Sequence, residues 1–236
     1  MSNDTFQFQQ FTIHQDQCAM KVGTDGVLLG AWAEGGTRIL DVGCATGIIS
    51  LMMAQRFPAA TVTGIDIDEM ACQQAKENVA ASQFCSRIRI ECAALQDWTD
   101  EMYDCIVSNP PFFVNSLTSP NARRTLARHS DTLPFDQLFA SVGRLLTNDG
   151  VFSAIVPVEV EESFTSEAYL KGFRIQRRLL VKTTPRKQPK RVLLAFGRSF
   201  AAKSSEEMFG ENKNLMDSDG SRSEWYSNLT REFYVK

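Results

Sequence analysis

The stretch ILDVGCATGIISL, residues 39 to 51, runs from an apolar strand pattern through a glycine-containing turn into apolar residues at helical spacing. Asp41, Gly43 and Gly47 stand at that junction. Glycine there lets the backbone approach a ligand closely, at the place where open α/β sheets bind their ligands. The next apolar run, TVTGI, ends in GIDID. Asp66 follows Gly47 by 19 residues, a position from which a carboxylate can take both hydroxyls of a ribose.

The spacing is DxGxxxG and not the GxGxxG of pyrophosphate-binding turns. Ala45 occupies the place of the middle glycine that would let a pyrophosphate settle on the helix. A nucleoside without phosphates fits such a turn better, and S-adenosylmethionine is a molecule of that kind. A tight strand-to-helix turn with no ligand would use the same glycines, so the turn alone leaves both readings open.

Working outward, RILDV, TVTGI, RIRIEC, YDCIVS and VFSAIVP read as strands. TGIISLMMAQRF, DEMACQQAKENVAAS and PFDQLFASVGRLL carry helical spacing between them. Strand and helix alternating in this order build a mostly parallel sheet covered on both faces, a doubly wound α/β domain. A further helix near EVEESFTSEAYLKG closes at Gly172. FRIQRRLLVK and RVLLAFG, joined by TTPRKQPK, suggest an antiparallel hairpin at the sheet edge. Residues 201–223 read as a mobile polar loop, and EWYSNLTREFYVK as a segment that docks back on the core. The expectation is one domain over 1–236: an N-terminal segment 1–37 covering the ligand site, a core 38–200, and a loop with a docking segment over 201–236.

The stretch SNPPFF, residues 108–113, follows the fourth strand and therefore shares an edge with the glycine turn and Asp66. Pro110 has no N–H, and Pro111 holds it in extended geometry, so the Pro110 carbonyl points in a fixed direction. Beside it, the Asn109 amide oxygen is a second acceptor. Two converging acceptors suit a planar –NH2 group on adenine, cytosine or a carboxamide. Such bonds favour a pyramidal nitrogen whose lone pair can meet a sulfonium methyl, with no strong base required. Phe112 is placed to stack on the target base. A rigid loop with a buried ring is the plain alternative.

The net charge of −3 announces no nucleic-acid partner. Yet Lys171 to Arg198 holds ten basic residues and no Asp or Glu, and positive potential accumulates over an unopposed run. Six scattered cysteines without a CxxC pair, and only His14 and His129, argue against a metal site or a disulfide framework. They read as reduced core residues. No apolar run approaches membrane-spanning length, and MSNDTFQFQQ lacks the pattern of a secretory signal, so a cytoplasmic protein is expected.

DVGCATG, GIDID and SNPPF together resemble the class I adenosylmethionine-dependent methyltransferases of the N6-adenine type, which have a Rossmann-like doubly wound sheet. FTIHQDQCAMKVGTDGVLLGAWA, PKRVLLAFGRS and EWYSNLTREFYV are similar to the bacterial tRNA1(Val) adenine-N6-methyltransferase family. That resemblance implies methylation of adenine 37, beside the anticodon of valine tRNA, and a metal-free monomer is expected. Carried over residue by residue, it assigns Asp41, Gly43, Ala45, Gly47, Asp66 and Asn109 to the cofactor, S-adenosyl-L-methionine. Asn109, Pro110 and Phe112 go to the target adenine. One departure is that relatives carry an acidic residue after the third strand, where ECAALQDW has Ala94. Either a backbone group or Asp97 would replace that contact.

Other readings stay open at this stage. The same NPP tip can hold the glutamine carboxamide of a release factor, although such enzymes carry an additional N-terminal helical domain. Methylation of another RNA or of DNA, and a non-catalytic RNA-binding module, are the remaining alternatives. Arg123, Arg124 and Arg128 in NARRTLARHS, and Arg186, Lys187 and Lys190 in the hairpin loop, are candidate phosphate contacts. In KVGTDG, Thr24 or Asp25 reads as a helix N-cap in preference to a cofactor contact.

Overall fold

The computed structural model describes residues 4–18, 20–111, 133–198 and 211–235. A short antiparallel pair, β1 (Thr5–Gln7) and β2 (Thr12–His14), precedes helix α1 (Thr24–Trp32). The core then alternates β3 (Arg38–Val42), α2 (Ile48–Arg56), β4 (Thr61–Asp66), α3 (Glu69–Ala80), β5 (Ile88–Cys92) and β6 (Tyr103–Ser108). It continues with α4 (Phe135–Leu145), β7 (Leu146–Pro157), α5 (Glu161–Leu170), β8 (Arg174–Lys182) and β9 (Arg191–Gly197). β10 (Glu211–Asn214) and α6 (Glu224–Leu229) complete the described elements.

The main sheet has eight strands in the order β10-β8-β9-β7-β6-β3-β4-β5. β9 runs antiparallel to both β7 and β8, and the other pairings are parallel. This is the doubly wound sheet with its antiparallel hairpin. β10 adds to β8 in parallel, so the hairpin is not the last pair of the sheet. That strand lies within the stretch read from sequence as a mobile loop, and a Met216–Arg222 bridge follows it. ENKN shows no alternation because an outer strand is held by its backbone bonds and buries neither face.

Period-two alternation sorts the core into two layers. Ile39, Val62, Ile90, Cys105, Val107 and Leu193 face α1, α2 and α3. Leu40, Ile65, Ile106, Phe152, Leu194 and Phe196 face α4 and α5. Phe139 of α4 meets Phe152, Phe164 and Phe196 edge-on, with centroids 4.9–5.5 Å apart. Such edge-to-face pairs add to the apolar burial itself. At the end of α5, Gly172 at φ 84° lets its N–H reach Tyr169 O and the Phe173 N–H reach Ala168 O. These are the paired bonds of a left-handed C-terminal cap.

The chain ends pack together: Phe8 bridges to Tyr234, and their rings stack 5.9 Å apart. The six cysteines are free, but Cys85 and Cys92 are exposed, so the expectation of six core cysteines holds only for Cys18, Cys44, Cys72 and Cys105. Cys85 lies in the turn before β5, and Cys92 is the last residue of that strand. No helix among the described residues is long and apolar enough to cross a membrane.

Candidate active site

Strand order reverses between β3 and β6, and the crevice beyond the C-terminal ends of those strands is where such sheets bind ligands. A cleft lies there with two lobes that share Met20, Gly43, Ala45, Asn109 and Pro111. The first lobe, about 450 Å³, is walled by Asp66, Ile67 and Ala71 on one side and by Ala93 to Gln96 on another. The second, about 520 Å³, lies between Pro110 and the first turn of α1, which contributes Thr24, Asp25 and Gly26.

The glycine turn is held open by left-handed backbone at Gly43 (φ 70°), Ala45 (φ 48°) and Gly47 (φ 79°). Ala45 lacks glycine's freedom there, a strain of about 1–2 kcal/mol. Its compensation is visible: the Ala45 N–H donates to Asp66 Oδ2 at 2.9 Å. Asp68 N–H donates to the other oxygen at 3.0 Å, so the Asp66 carboxylate is fixed from two sides at the cleft wall. Below the turn, Asn78 is fully buried and its amide nitrogen donates to Thr46 O and to His14 O, each at 2.9 Å. One amide thereby ties the turn to the N-terminal strand pair.

Asp41 was expected within the cofactor turn, but it is fully buried and does not line the cleft. Its side chain points to the α2 face, where Ser50 Oγ donates to Oδ2 at 2.7 Å. Burial pushes its pKa up to about 7 against the opposing Ser50 bond. Asp41 therefore supports the turn from beneath. Gly47 likewise lies outside the lining, and a Cβ there would sit 3.3 Å from Ala75 Cβ, so the glycine also permits close packing of α2 on α3.

Ser108, Asn109 and Pro111 line the first lobe, and Asn109, Pro110 and Pro111 line the second. Ser108 Oγ donates to Val42 O at 3.0 Å and anchors the tip across the switch point. Asn109 Oδ1 is buried and has no hydrogen-bond partner among the described residues. A buried, unpaired amide oxygen is costly unless a ligand donor meets it. This orphan acceptor and the Asp66 carboxylate fit an adenosine-type cofactor beside an amino group. Phe112, Arg123, Arg124, Arg128 and His129 lie outside the described residues.

Two features escaped sequence reasoning. Ile67 is 49% exposed at the cleft wall, and Met20 is 52% exposed where the two lobes meet. An apolar residue between two aspartates in GIDID was the available signal for Ile67. Ala93 to Gln96 form the wall where an acid was absent, and Asp97 does not line it. The polar groups of that wall are therefore its backbone and the Gln96 amide, and not the Asp97 carboxylate. The capping expectation for Thr24 or Asp25 is also corrected. Gly23 is the N-cap, without a side-chain bond, and Asp25 instead accepts from Arg191 Nε at 2.7 Å.

The basic run is less unopposed than its sequence implied. Arg177 meets Glu34 at 3.2 Å, and Arg178 meets Glu161 through two bonds at 2.5 and 2.8 Å. Neighbouring strand residues face opposite sides of a sheet, so each arginine finds a carboxylate from its own layer. Arg186, Lys187 and Lys190 remain exposed between β8 and β9. Because β8 runs with β7, that loop stands at the same end of the sheet as the cleft.

A family model described as the methyltransferase small domain matches residues 22–146. Among solved structures, a predicted O-methyltransferase from Agrobacterium tumefaciens superposes with a TM-score of 0.66 at 16% identity, over 90% of this chain and 98% of that one. A glycopeptide N-methyltransferase complexed with S-adenosyl-L-methionine gives 0.56 at 11% identity, over 76% and 100%. Those two likenesses show the fold. Curated relatives called tRNA1(Val) (adenine(37)-N6)-methyltransferase are closer in sequence. The one from Phocaeicola vulgatus is 46% identical over 100% of this chain and 99% of its own length, and that from Bacteroides fragilis 44% over 100% of each. A relative from Tolumonas auensis is 40% identical over 100% and 99%. The methyl donor of such enzymes is S-adenosyl-L-methionine, and the cleft offers it a fixed carboxylate and a left-handed turn. At these identities over the full length, the chain belongs to the tRNA1(Val) (adenine(37)-N6)-methyltransferase family.

Proposed function

We propose that this protein methylates N6 of adenine 37, beside the anticodon, in valine tRNA, and that it acts as a monomer. The buried, unpaired Asn109 Oδ1 carries the reading, because it is an acceptor waiting for an N–H donor inside the cleft. The target amino group donates one N–H to Asn109 and the other to the Pro110 carbonyl, and Phe112 stacks on the ring. Asp66 holds the ribose of the cofactor, and Gly43 and Ala45 let the chain pass close beneath it. When bound, S-adenosylmethionine supplies an electrophilic methyl group. The two acceptors draw the amine out of conjugation and aim its lone pair, and the proton later released needs no strong base.

Adenine 37 must leave its stack to enter the second lobe, a cost that stacking and phosphate contacts offset. Arg186, Lys187 and Lys190 hold the RNA backbone at the cleft edge, together with Arg123, Arg124 and Arg128. Full-length likeness to adenine methyltransferases supports this reading over the glutamine of a release factor.

The test combines purified protein, radiolabelled S-adenosylmethionine and unmodified valine tRNA transcripts, with product nucleosides resolved by mass spectrometry. N6-methyladenosine at position 37 is the expected product. Unlabelled transcripts from a protein that binds the cofactor would overturn the tRNA assignment while leaving the methyltransferase fold in place.

A further inference from the structure

The second lobe of the cleft has two walls of different origin. Asn109, Pro110 and Pro111 belong to the sheet, where β6 continues into the tip. Gly23 to Gly26 belong to the start of α1, which is capped by a glycine without a side-chain bond. Asp25 is placed to neutralise its own first turn, and an acid there is favourable on electrostatic grounds. Instead its Oδ2 is taken by Arg191 Nε at 2.7 Å. The arginine thus holds that wall from the side of β9.

Arg191 is the first residue of β9, paired with Pro157 of β7 and Val181 of β8. It directly follows the loop that carries Arg186, Lys187 and Lys190. That loop is closed by its own backbone bonds: Lys187 N–H to Thr184 O at 3.1 Å, and Lys190 N–H to Val181 O at 3.0 Å. Val158 N–H donates to Lys190 O at 3.3 Å, and Arg191 Nη1 donates to the same carbonyl at 3.0 Å. A short bonded path therefore runs from the exposed cations to the cleft wall opposite Asn109.

We infer that the Asp25–Arg191 pair is a positioning device that couples RNA seated on the 183–190 loop to the width of the target-base lobe. Arg191 is a positioning residue, since it acts on the reacting groups through Asp25 and α1. The inference rests on the RNA reading given above. RNA drawn onto the loop holds Arg191 in place, Arg191 holds the first turn of α1, and the lobe keeps the spacing that brings amine and methyl donor together. A pair that is about one-third exposed contributes little to stability, so its value lies in geometry.

The experiment uses the full chain with Arg191→Gln, Asp25→Asn, the double variant, and Arg191→Lys. Melting temperature, tRNA affinity, S-adenosylhomocysteine affinity with and without tRNA, and single-turnover methyl transfer are measured for each. Either single substitution is expected to slow transfer about tenfold, with tRNA affinity changed less than threefold. Wild-type protein is expected to bind S-adenosylhomocysteine more tightly with tRNA than without it, and that difference should be lost in both single variants. The double variant should be no slower than either single one, as for residues acting as a unit, and Arg191→Lys should recover part of the rate. Losses that multiply in the double variant, or an effect confined to tRNA affinity, would overturn the coupling and leave the RNA reading intact. Wild-type protein that transfers nothing to tRNA would overturn the RNA reading and this inference with it.

Discussion

Asn109 and Asp41 are both polar side chains with an unpaired buried oxygen, and their positions give them different work. Asn109 lines the cleft, so Asn109→Ala should keep cofactor affinity within a few-fold yet slow methyl transfer by roughly 100-fold, the loss typical of one preorganised polar contact. Near-normal single-turnover rates in that variant would dismiss the amino-group mechanism. Asp41 sits beneath the turn with its pKa raised to about 7 by burial. The folded state therefore holds the Asp41 proton more tightly than the unfolded chain does. Its contribution to stability is fully present below about pH 4 and is lost as pH rises through about 7. Relative to Asp41→Asn, wild-type stability should fall across that window, read as a wild-type denaturation midpoint that drops against that of the variant as pH rises. A difference that stays constant with pH would show that the carboxyl remains ionised in the fold.

At the scale of elements, the cleft depends on how closely α2 rests on the sheet. Gly64 of β4 pairs with Asp41 of β3, and a Cβ at Gly64 would lie 2.7 Å from Ile90 Cδ1 and 2.9 Å from Ser50 Oγ. Ser50 is the residue that bonds Asp41, so crowding here disturbs the support of the glycine turn. Gly64→Ala should destabilise the protein by about 1–3 kcal/mol, the usual cost of overpacking. It should also weaken cofactor binding, and calorimetry would read both effects. Retained stability and affinity together would mean that α2 shifts freely on the sheet.

At the scale of the molecule, topology divides the basic run between two ends of the sheet. β8 spans nine residues, about 30 Å at strand rise, with Arg174 at one end and Lys182 at the other. Lys171, Arg174 and Arg198 stand at the end away from the cleft, whereas Arg186, Lys187 and Lys190 stand beside it. Reversing the charge of Arg186, Lys187 and Lys190 should weaken tRNA binding and lower the slope of log affinity against log salt by roughly 3. S-adenosylmethionine affinity should not change. The same reversal at Lys171, Arg174 and Arg198 should leave tRNA affinity nearly intact, and filter binding across a salt series would separate the two sets. Equal losses from both would mean that the RNA wraps the whole edge of the sheet.

The sequence by itself determined the alternation of strands and helices, the glycine turn, Asp66 and the NPP tip, because these are local patterns of period, backbone permission and donor geometry. ILDV could announce a strand buried on both faces, and Pro110–Pro111 could announce a rigid carbonyl, with no reference to distant residues. Partners lay beyond that reach. The sequence could not show that Asp25, inside the first turn of α1, pairs with Arg191, 166 residues away, or that Arg177 and Arg178 meet Glu34 and Glu161 on opposite faces. Nor could it show that Asp41 turns inward to Ser50 while Ile67 turns outward to the cleft. Those choices depend on which elements the fold lays side by side, since charge pairing and burial are decided by distance in space and not along the chain.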